Sequence, residues 1–382
     1  MSALNEDRSV AGPGAGSSSP GPHAGLSIQR WTPVSRVFTG AALALVIVLA
    51  FVPLLKNANL TQKLTALFLL VIMSAMWNAL AGYGGLVSVG QQAYIGIGAY
   101  GTVFIAHHGV APYSAMMLAI VASGIIAVPF SFLLLRLRGG QFAIATWVVA
   151  EVFAVVVSFD QSLGAGTGIS LIELNRYGPL ARQSNTYWFT LGAAAVLLGV
   201  LFILLRSRMG SSLQAIRDDQ DAAASVGVRV MAGKRVLYVF ASLGFGAAGA
   251  LTLANTLFIQ PDSIFGVSWT AFAIFMVLVG GLGTFEGPII GAILLFLIQD
   301  WFADLGVWYL IGLGVVAILF ALLLPRGLWG TIEERFGLQL MPVGYRIRGL
   351  ARSLRPGTRT PIDGAGTPPG SAGAEDDIPD SP

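Results

Sequence analysis

The sequence predicts an all-α, polytopic membrane protein of about 8 to 10 transmembrane helices, some of them broken by glycine, with a helix-bearing cytoplasmic loop near the middle. Three observations predict it. Hydrophobic residues make up 55% of the chain and charged residues 11%, where a soluble domain carries about a quarter charged. Apolar runs of about twenty residues, the length that crosses a bilayer as a helix, recur along the chain. Lys and Arg gather in those intervals that alternate loops place on one side of a membrane.

Taken in order, residues 1–35 are rich in Gly, Ser and Pro, as in VAGPGAGSSSPGP, so a disordered tail is expected. No apolar core follows a basic start there, which argues against a signal peptide. Candidate spans then fall near 36–55, 64–81, 85–105, 112–135, 141–159, 187–205, 236–259 and 306–324. The stretch 268–302 is apolar but interrupted at GGLGTFEGP, Gly280 to Pro288, and reads as two short crossings or a re-entrant pair. Residues 36–330 thus form one transmembrane domain, and either count of spans returns both termini to one side. The tail 331–382 begins basic, and its RIRGLARSLRPGTR suits anionic membrane lipid. It ends acidic, rich in Pro and Gly, and is read as disordered.

Which side the termini occupy follows from charge, because cytoplasmic loops carry the excess of Lys and Arg. With the N-terminus inside, all of the 22 basic residues except Lys56, Lys63, Arg176 and Arg182 collect on the inner face. Both termini are therefore expected in the cytoplasm, and the chain in the inner, or cytoplasmic, membrane. The longest outer segment, 160–186, contains GAGTG, a backbone-rich turn that suits either the approach of a ligand or a plain reversal of the chain.

The loop RSRMGSSLQAIRDDQDAAASVGVRVMAGKR, 206–235, is too polar for hydrocarbon and must lie in water. Its spacing predicts one short helix. Ser211 or Ser212 caps the start, Leu213, Ile216, Ala223 and Val226 make one apolar face, and Gly227 suits the C-terminal cap. Ala222, Ala223 and Ala224 carry no bulk, so another surface can come close to the backbone. These residues leave two readings open, a dock for a cytosolic partner and a solvated connector.

At membrane depth the sequence GYGGLVSVGQQAYIGIGAYG, from Gly82 to Gly101, sets Gly82, Gly85 and Gly90 among apolar residues. Glycine there lets backbones approach and lets a helix break, exposing amides and carbonyls that can line a pathway. Ser88, Gln91 and Gln92 add side-chain donors and acceptors; tight helix packing is the alternative for the glycines. A second broken stretch, GGLGTFEGPIIGAI, holds Gly281 and Gly283. Both breaks fall on the cytoplasmic side, which is not the placement an inverted repeat produces. Glu151 lies near the middle of the span 141–159, where an ionised carboxylate is costly and needs a partner, a wet cavity or a proton. An interhelical hydrogen bond is its expected role, since a proton relay needs a second buried acid. Glu151 and the two broken stretches are the candidates for a translocation path.

Enzyme chemistry finds little support. Zero cysteines remove disulfides, thiolate catalysis and cysteine metal sites. His23 lies in the tail, and His107 and His108 are neighbours that point different ways on a helix, so no metal site is expected. Gly227 to Lys234 falls short of a nucleotide loop: five residues separate its glycines and Arg235 follows its lysine, where four and then Ser or Thr are required. No cofactor and no catalytic residue are assigned to this chain, and a net charge of +3 gives no reason to expect nucleic acid.

Six stretches in order carry a resemblance to a known family: GYGGLVSVGQQAYIGIGAY, LLRLRGGQFAIAT with Glu151 following, GAGTGI, GSSLQAIRDDQDAAASVGV, VGGLGTFEGPIIGAI and LPRGLWG. Over roughly 60–330 the chain resembles the permease subunits of branched-chain amino acid ABC importers, the LivM-like family. The resemblance implies a permease without its own ATPase, moving branched-chain amino acids or a similar small polar solute. It implies as partners a second homologous permease, two cytosolic ATPase subunits that bind ATP, and an extracytoplasmic solute-binding protein. It also makes 206–235 the coupling loop that docks in the ATPase groove, carried onto Gly210, Leu213, Ala215, Ile216, Arg217, Asp218, Ala222, Ala223 and Gly227. Where members commonly read Gly-Gln-Leu-Ser-Leu-Gly-His, this chain has Gly85, Leu86, Val87, Ser88, Val89, Gly90 and Gln91, which leaves the solute open. Ser211, Gln214 and Gln220 stand where the family carries more charge, which implies a less ionic partner contact.

The alternative is a stand-alone secondary carrier or channel for a small solute, which Glu151 and the broken helices permit. It leaves the loop 206–235 without a task. A membrane-embedded enzyme needs clustered His or paired carboxylates at depth, and the sequence supplies neither.

Overall fold

The computed structural model describes residues 27–29, 33–302, 306–324, 326–336 and 346–348. In chain order the helices are α1 (Pro33–Ala50), α2 (Ala58–Asn78), α3 (Gln92–His107), α4 (Pro112–Leu134), α5 (Gly140–Phe159), α6 (Pro179–Arg206), α7 (Arg208–Asp218), α8 (Gln220–Ser225), α9 (Val230–Thr256), α10 (Pro261–Ile264), α11 (Ser268–Gly280), α12 (Gly287–Phe302), α13 (Val307–Leu323) and α14 (Gly327–Phe336). Among the described residues, seven helical stretches are long and apolar enough to cross a membrane. With the shorter apolar helices Thr39–Leu55 and Gly287–Phe302 beside them, they roughly match the expected number of passes.

Two helices make the centre. In α2 the Asn57 side chain caps the start by accepting from the Leu60 amide, and the helix runs on into a π-helical turn, Ala79–Tyr83. In α9 the run GFGAAGALTLA supplies small side chains that let neighbouring backbones approach. α3 packs closely against α9, with Gly98 on the Gly246 carbonyl and Gly249 on that of Ile95. In the most apolar window of both α2 and α9, 83% of residues are buried; in α5 the share is 22%. Polar residues on α2 and α9 therefore have the chain itself for surroundings, and those on α5 largely do not.

The stretch 268–302 resolves into an antiparallel hairpin of α11 and α12. A Cβ at Gly291 would strike the Met276 carbonyl, and one at Gly280 the Gly287 carbonyl. α12 follows α2 from end to end. Asn78 binds the chain just before α12, while Lys63 pairs with Asp300 near its finish at 2.7 Å. The hairpin thus runs through the bundle and back; it is two short crossings and not a re-entrant loop.

Basic residues sort by end. Arg138 reaches Asp221 at 3.6 Å, Arg235 lies 3.9 Å from the centre of the Phe132 ring, and Arg217 adjoins Gly283. At the opposite end Arg182 shares a polar notch with Thr61 and Thr186, next to Lys63 in sequence. The grouping is the one that the charge asymmetry demands.

Several expectations need correction. The span 85–105 is not one helix: 84–91 is mostly irregular, and α3 begins only at Gln92. The spans 64–81 and 187–205 start earlier, at Ala58 and Pro179, because Asn57 and Pro179 open helices within polar sequence. In the segment 160–186, Asp160 accepts from the Ser162 amide and hydroxyl, which holds its carboxyl below the usual carboxylate range. Ile169–Ser170 pairs antiparallel with Phe258–Ile259, and Gly168 lies against Phe258, so GAGTG folds back onto its own chain. Ser27–Gln29 pairs antiparallel with Arg346–Arg348; most of both expected tails lies outside the described residues.

Candidate functional site

The two glycine-broken stretches, distant in sequence, meet at the basic end of the bundle. α2 stops in its π turn and α11 stops at Gly280, so each leaves backbone groups without helical partners. Asn78 bridges them. Its Oδ1 accepts from the Gly283 amide and its Nδ2 donates to the Thr284 carbonyl, both at 2.8 Å. Backbone touches backbone here: a Cβ on Gly82 would lie 2.6 Å from the Gly283 nitrogen, closer than real Cβ atoms come. Gly283 and Gly281 sit at φ 77 and 136, which glycine alone adopts at little cost. Thr284 stitches the turn, donating from Oγ1 to the Gly281 carbonyl and accepting from the Gly287 amide.

Arg217 reaches into this joint from α7. Its Nη1 donates to the Gly82 carbonyl at 2.7 Å, while Nε and Nη2 donate to Asp218 Oδ1 at 3.0 and 2.9 Å. Its backbone packs on Gly85, where a Cβ would come within 3.3 Å of the Arg217 Cα. A cation at the C-terminal end of α2 also answers the negative end of that helix's dipole.

The loop that carries Arg217 holds two helices, where one was expected. Ser207 caps α7 by accepting from the Met209 amide; Ser211 and Ser212 instead bond back to the Arg208 carbonyl from inside the helix. Asp219 ends α7 and caps α8, its Oδ1 accepting from the amides of Asp221 and Ala222 at 2.9 Å. Gly227 does close α8. At φ 85 it donates to the Ala224 carbonyl while Val228 donates to that of Ala223, the Schellman arrangement.

The apolar face of the loop turns inward. Leu213 joins the main core, Ile216 and Ala223 form a small core with Val230, and Gly210 lies on the Leu205 carbonyl. Val226, expected on that face, is 79% exposed. Of the carried-over residues, Gly210, Leu213, Ile216 and Ala223 therefore hold the loop to the body. Ala215, Asp218, Ala222 and Gly227 stay accessible, with Asp221, Ala224 and Val226 beside them.

The other path candidates separate into two environments. Ser88, Gln91 and Gln92 are fully buried. Trp77 Nε1 donates to the Ser88 carbonyl, Gln91 Nε2 to Ser88 Oγ at 2.9 Å, and Thr270 Oγ1 to Gln92 Oε1; Gly90 lies on the Thr146 carbonyl. In this conformation they belong to the packed interior and do not line an open passage. Glu151 stands apart, on the exposed face of α5 among Trp147, Val148, Val152 and Val155. Its Oε1 accepts from Trp147 Nε1 at 2.9 Å, so the expected interhelical bond is replaced by one within a single turn of α5.

The family described as branched-chain amino acid transport system / permease component matches residues 59–324. The chain belongs to that family. This permease is 26% identical over 313 residues to the high-affinity branched-chain amino acid transport system permease protein LivM of Salmonella typhimurium, across 75% of this chain and 73% of that one. The protein of the same name from Escherichia coli is 26% identical over 316 residues, with the same shares covered. It is a multi-pass protein of the inner membrane, and both broken stretches and the loop 206–235 lie inside the region that the family shares.

Sequence reasoning passed over Asn78 and Thr284, which make the joint, and Thr270, which pairs with Gln92. The signal for Asn78 was present: a carboxamide inside an apolar span is as costly as Gln91 or Gln92. Nothing in the sequence pointed to Thr284 or Thr270, whose partners lie 206 and 178 residues away.

Proposed function

We propose that this permease is one subunit of an ATP-binding-cassette importer that moves branched-chain amino acids, or a similar small polar solute, across the cytoplasmic membrane. The observation that carries the reading is the accessible rim of α7 and α8, seated on the joint where two broken helices meet. A partner that grips the rim grips the ends of both. The rim offers Ala215, Ala222, Ala224 and Val226, small or apolar side chains on a loop that faces water, whose burial by a partner is favourable.

On this reading two cytosolic ATPase subunits bind ATP, one of them receiving the loop 206–235, and the permease itself binds no cofactor and performs no hydrolysis. Both termini lie in the cytoplasm, as the distribution of Lys and Arg supports. The basic start of the C-terminal tail rests on anionic lipid. A second homologous permease covers the exposed face of α5, because hydrocarbon does not solvate the Glu151 carboxylate. Glu151 then lies on the solute path between the two subunits, where it favours the passing ammonium group of an amino acid. An extracytoplasmic solute-binding protein delivers the solute at the end that carries Arg182.

Val226→Asp places a charge on the rim without touching the core. It should lower recovery of the ATPase subunits with the purified permease by about tenfold, the factor a misplaced interface charge commonly carries, while leaving membrane insertion intact. Unchanged recovery would remove the dock from this loop. Uptake of labelled leucine in cells with and without the chain tests the solute, and solute-driven uptake into vesicles without ATP would replace the importer by a stand-alone carrier.

A further inference from the structure

We infer that Arg217 is the positioning residue through which the loop acts on the broken helices: its guanidinium ties α7 to the Gly82 carbonyl and thereby sets the π turn at the end of α2. The inference rests on the reading of 206–235 as the ATPase dock, and it goes further by naming the link that leaves the dock.

The fork geometry of Arg217 makes the tie directional. Asp218 takes Nε and Nη2, which fixes the plane of the guanidinium and leaves Nη1 aimed at Gly82, 2.7 Å away. Both anchors are needed for that aim, and only a planar fork serves them together. Motion of α7 is therefore delivered to one backbone oxygen.

That oxygen lies in a π turn, which on this inference also takes the α form. The π turn Ala79–Tyr83 carries one residue more per turn than an α-helix, a form found singly and frequently at functional sites. Winding it back to α-helix turns the chain beyond it by about 100° and advances that chain by about 1.5 Å. Segment 84–91 comes directly after the turn and leads into α3. A charge-assisted hydrogen bond to the Gly82 carbonyl holds the π form; withdrawing it with α7 releases the turn.

The same pull reaches the second broken stretch. Gly82 meets Gly283 with no side chain between them, and Asn78 binds the Gly283 amide and the Thr284 carbonyl. There is no slack to absorb a shift, so α2 and the α11–α12 hairpin answer Arg217 together.

The chain has no cysteine, which permits a test that does not depend on knowing the solute. Val87, 51% exposed within 84–91, is replaced by Cys, and the permease is purified with its ATPase subunits. Labelling by a water-soluble maleimide is timed without nucleotide and with ATP and vanadate. The tie predicts a nucleotide-dependent change in rate of about fivefold or more, lost in Val87→Cys, Arg217→Gln although the ATPase subunits still co-purify, and partly kept with Arg217→Lys. Should Arg217→Gln fail to accumulate, the Lys variant decides, since it keeps the charge and loses the fork. An unaltered response in both variants overturns the inference, as does a Val87→Cys parent that binds the ATPase and shows no response. Loss of the ATPase from the Arg217→Gln complex would overturn it too, by making Arg217 part of the dock. Failure of the Val87→Cys parent to bring down any ATPase would instead sink the reading of the loop beneath it, and the tie with it.

Discussion

Polar side chains on α2 and α3 and the carboxylate on α5 face the same solvent problem and meet it in opposite ways. Asn78 sits on a helix whose apolar window is 83% buried, and it spends both amide groups on the backbone of another stretch. Glu151 sits on a helix whose window is 22% buried, and its partner is Trp147 on the same face of the same helix. Where the chain surrounds a polar group, that group marks an internal joint. Where the chain does not, the group marks a face that something else must cover.

If that contrast is right, breaking the joint costs most. Asn78→Leu leaves the Gly283 amide and the Thr284 carbonyl without partners, at about 1–3 kcal/mol for each. The expected result is a large drop in the amount of folded permease recovered in detergent and loss of uptake. Recovery and melting temperature equal to wild type would show that Asn78 does not hold the joint.

Glu151→Gln should do the reverse. The amide oxygen still accepts from Trp147, so recovery and melting temperature should hold, while uptake falls by about tenfold through loss of one charge at depth. A fall in stability with uptake per folded molecule unchanged would return Glu151 to a structural role.

The smallest effect belongs to the outer turn. Asp160→Ala removes the cap on Ser162, and amide exchange at residues 161–164 should quicken slightly with uptake unaltered. Acidification should do the same. A carboxyl whose folded pKa is depressed contributes stability above its unfolded pKa, and loses it as pH falls through the folded value. Exchange at 161–164 that ignores both changes would show that the cap carries nothing.

Much of this was legible in the sequence, and the losses have physical causes. Apolar length and basic asymmetry revealed the spans and their two ends, because both report directly on the bilayer. The late start of α3 at Gln92 was hidden, since the irregular segment 84–91 carries Leu86, Val87 and Val89 much as an apolar helix would. Gly227 was read correctly from a local rule, while the cap at Ser207 lost to Ser211 and Ser212, equally good by type. Trp147 lies four residues before Glu151, a spacing that puts them on one face, so that partner was within reach. The joint was not. Gly82 and Gly283 announce only that backbones come close somewhere, and a glycine does not say which backbone it meets.

The central claim is that the rim of α7 and α8 is held by an ATPase on the cytoplasmic side. A single cysteine at Ala222, exposed on that rim, measures it in one experiment with a membrane-impermeant maleimide. The account predicts no labelling in intact cells, labelling once the membrane is opened, and protection when the ATPase subunits are present. Labelling from outside intact cells, or equal labelling with and without the ATPase subunits, would contradict it.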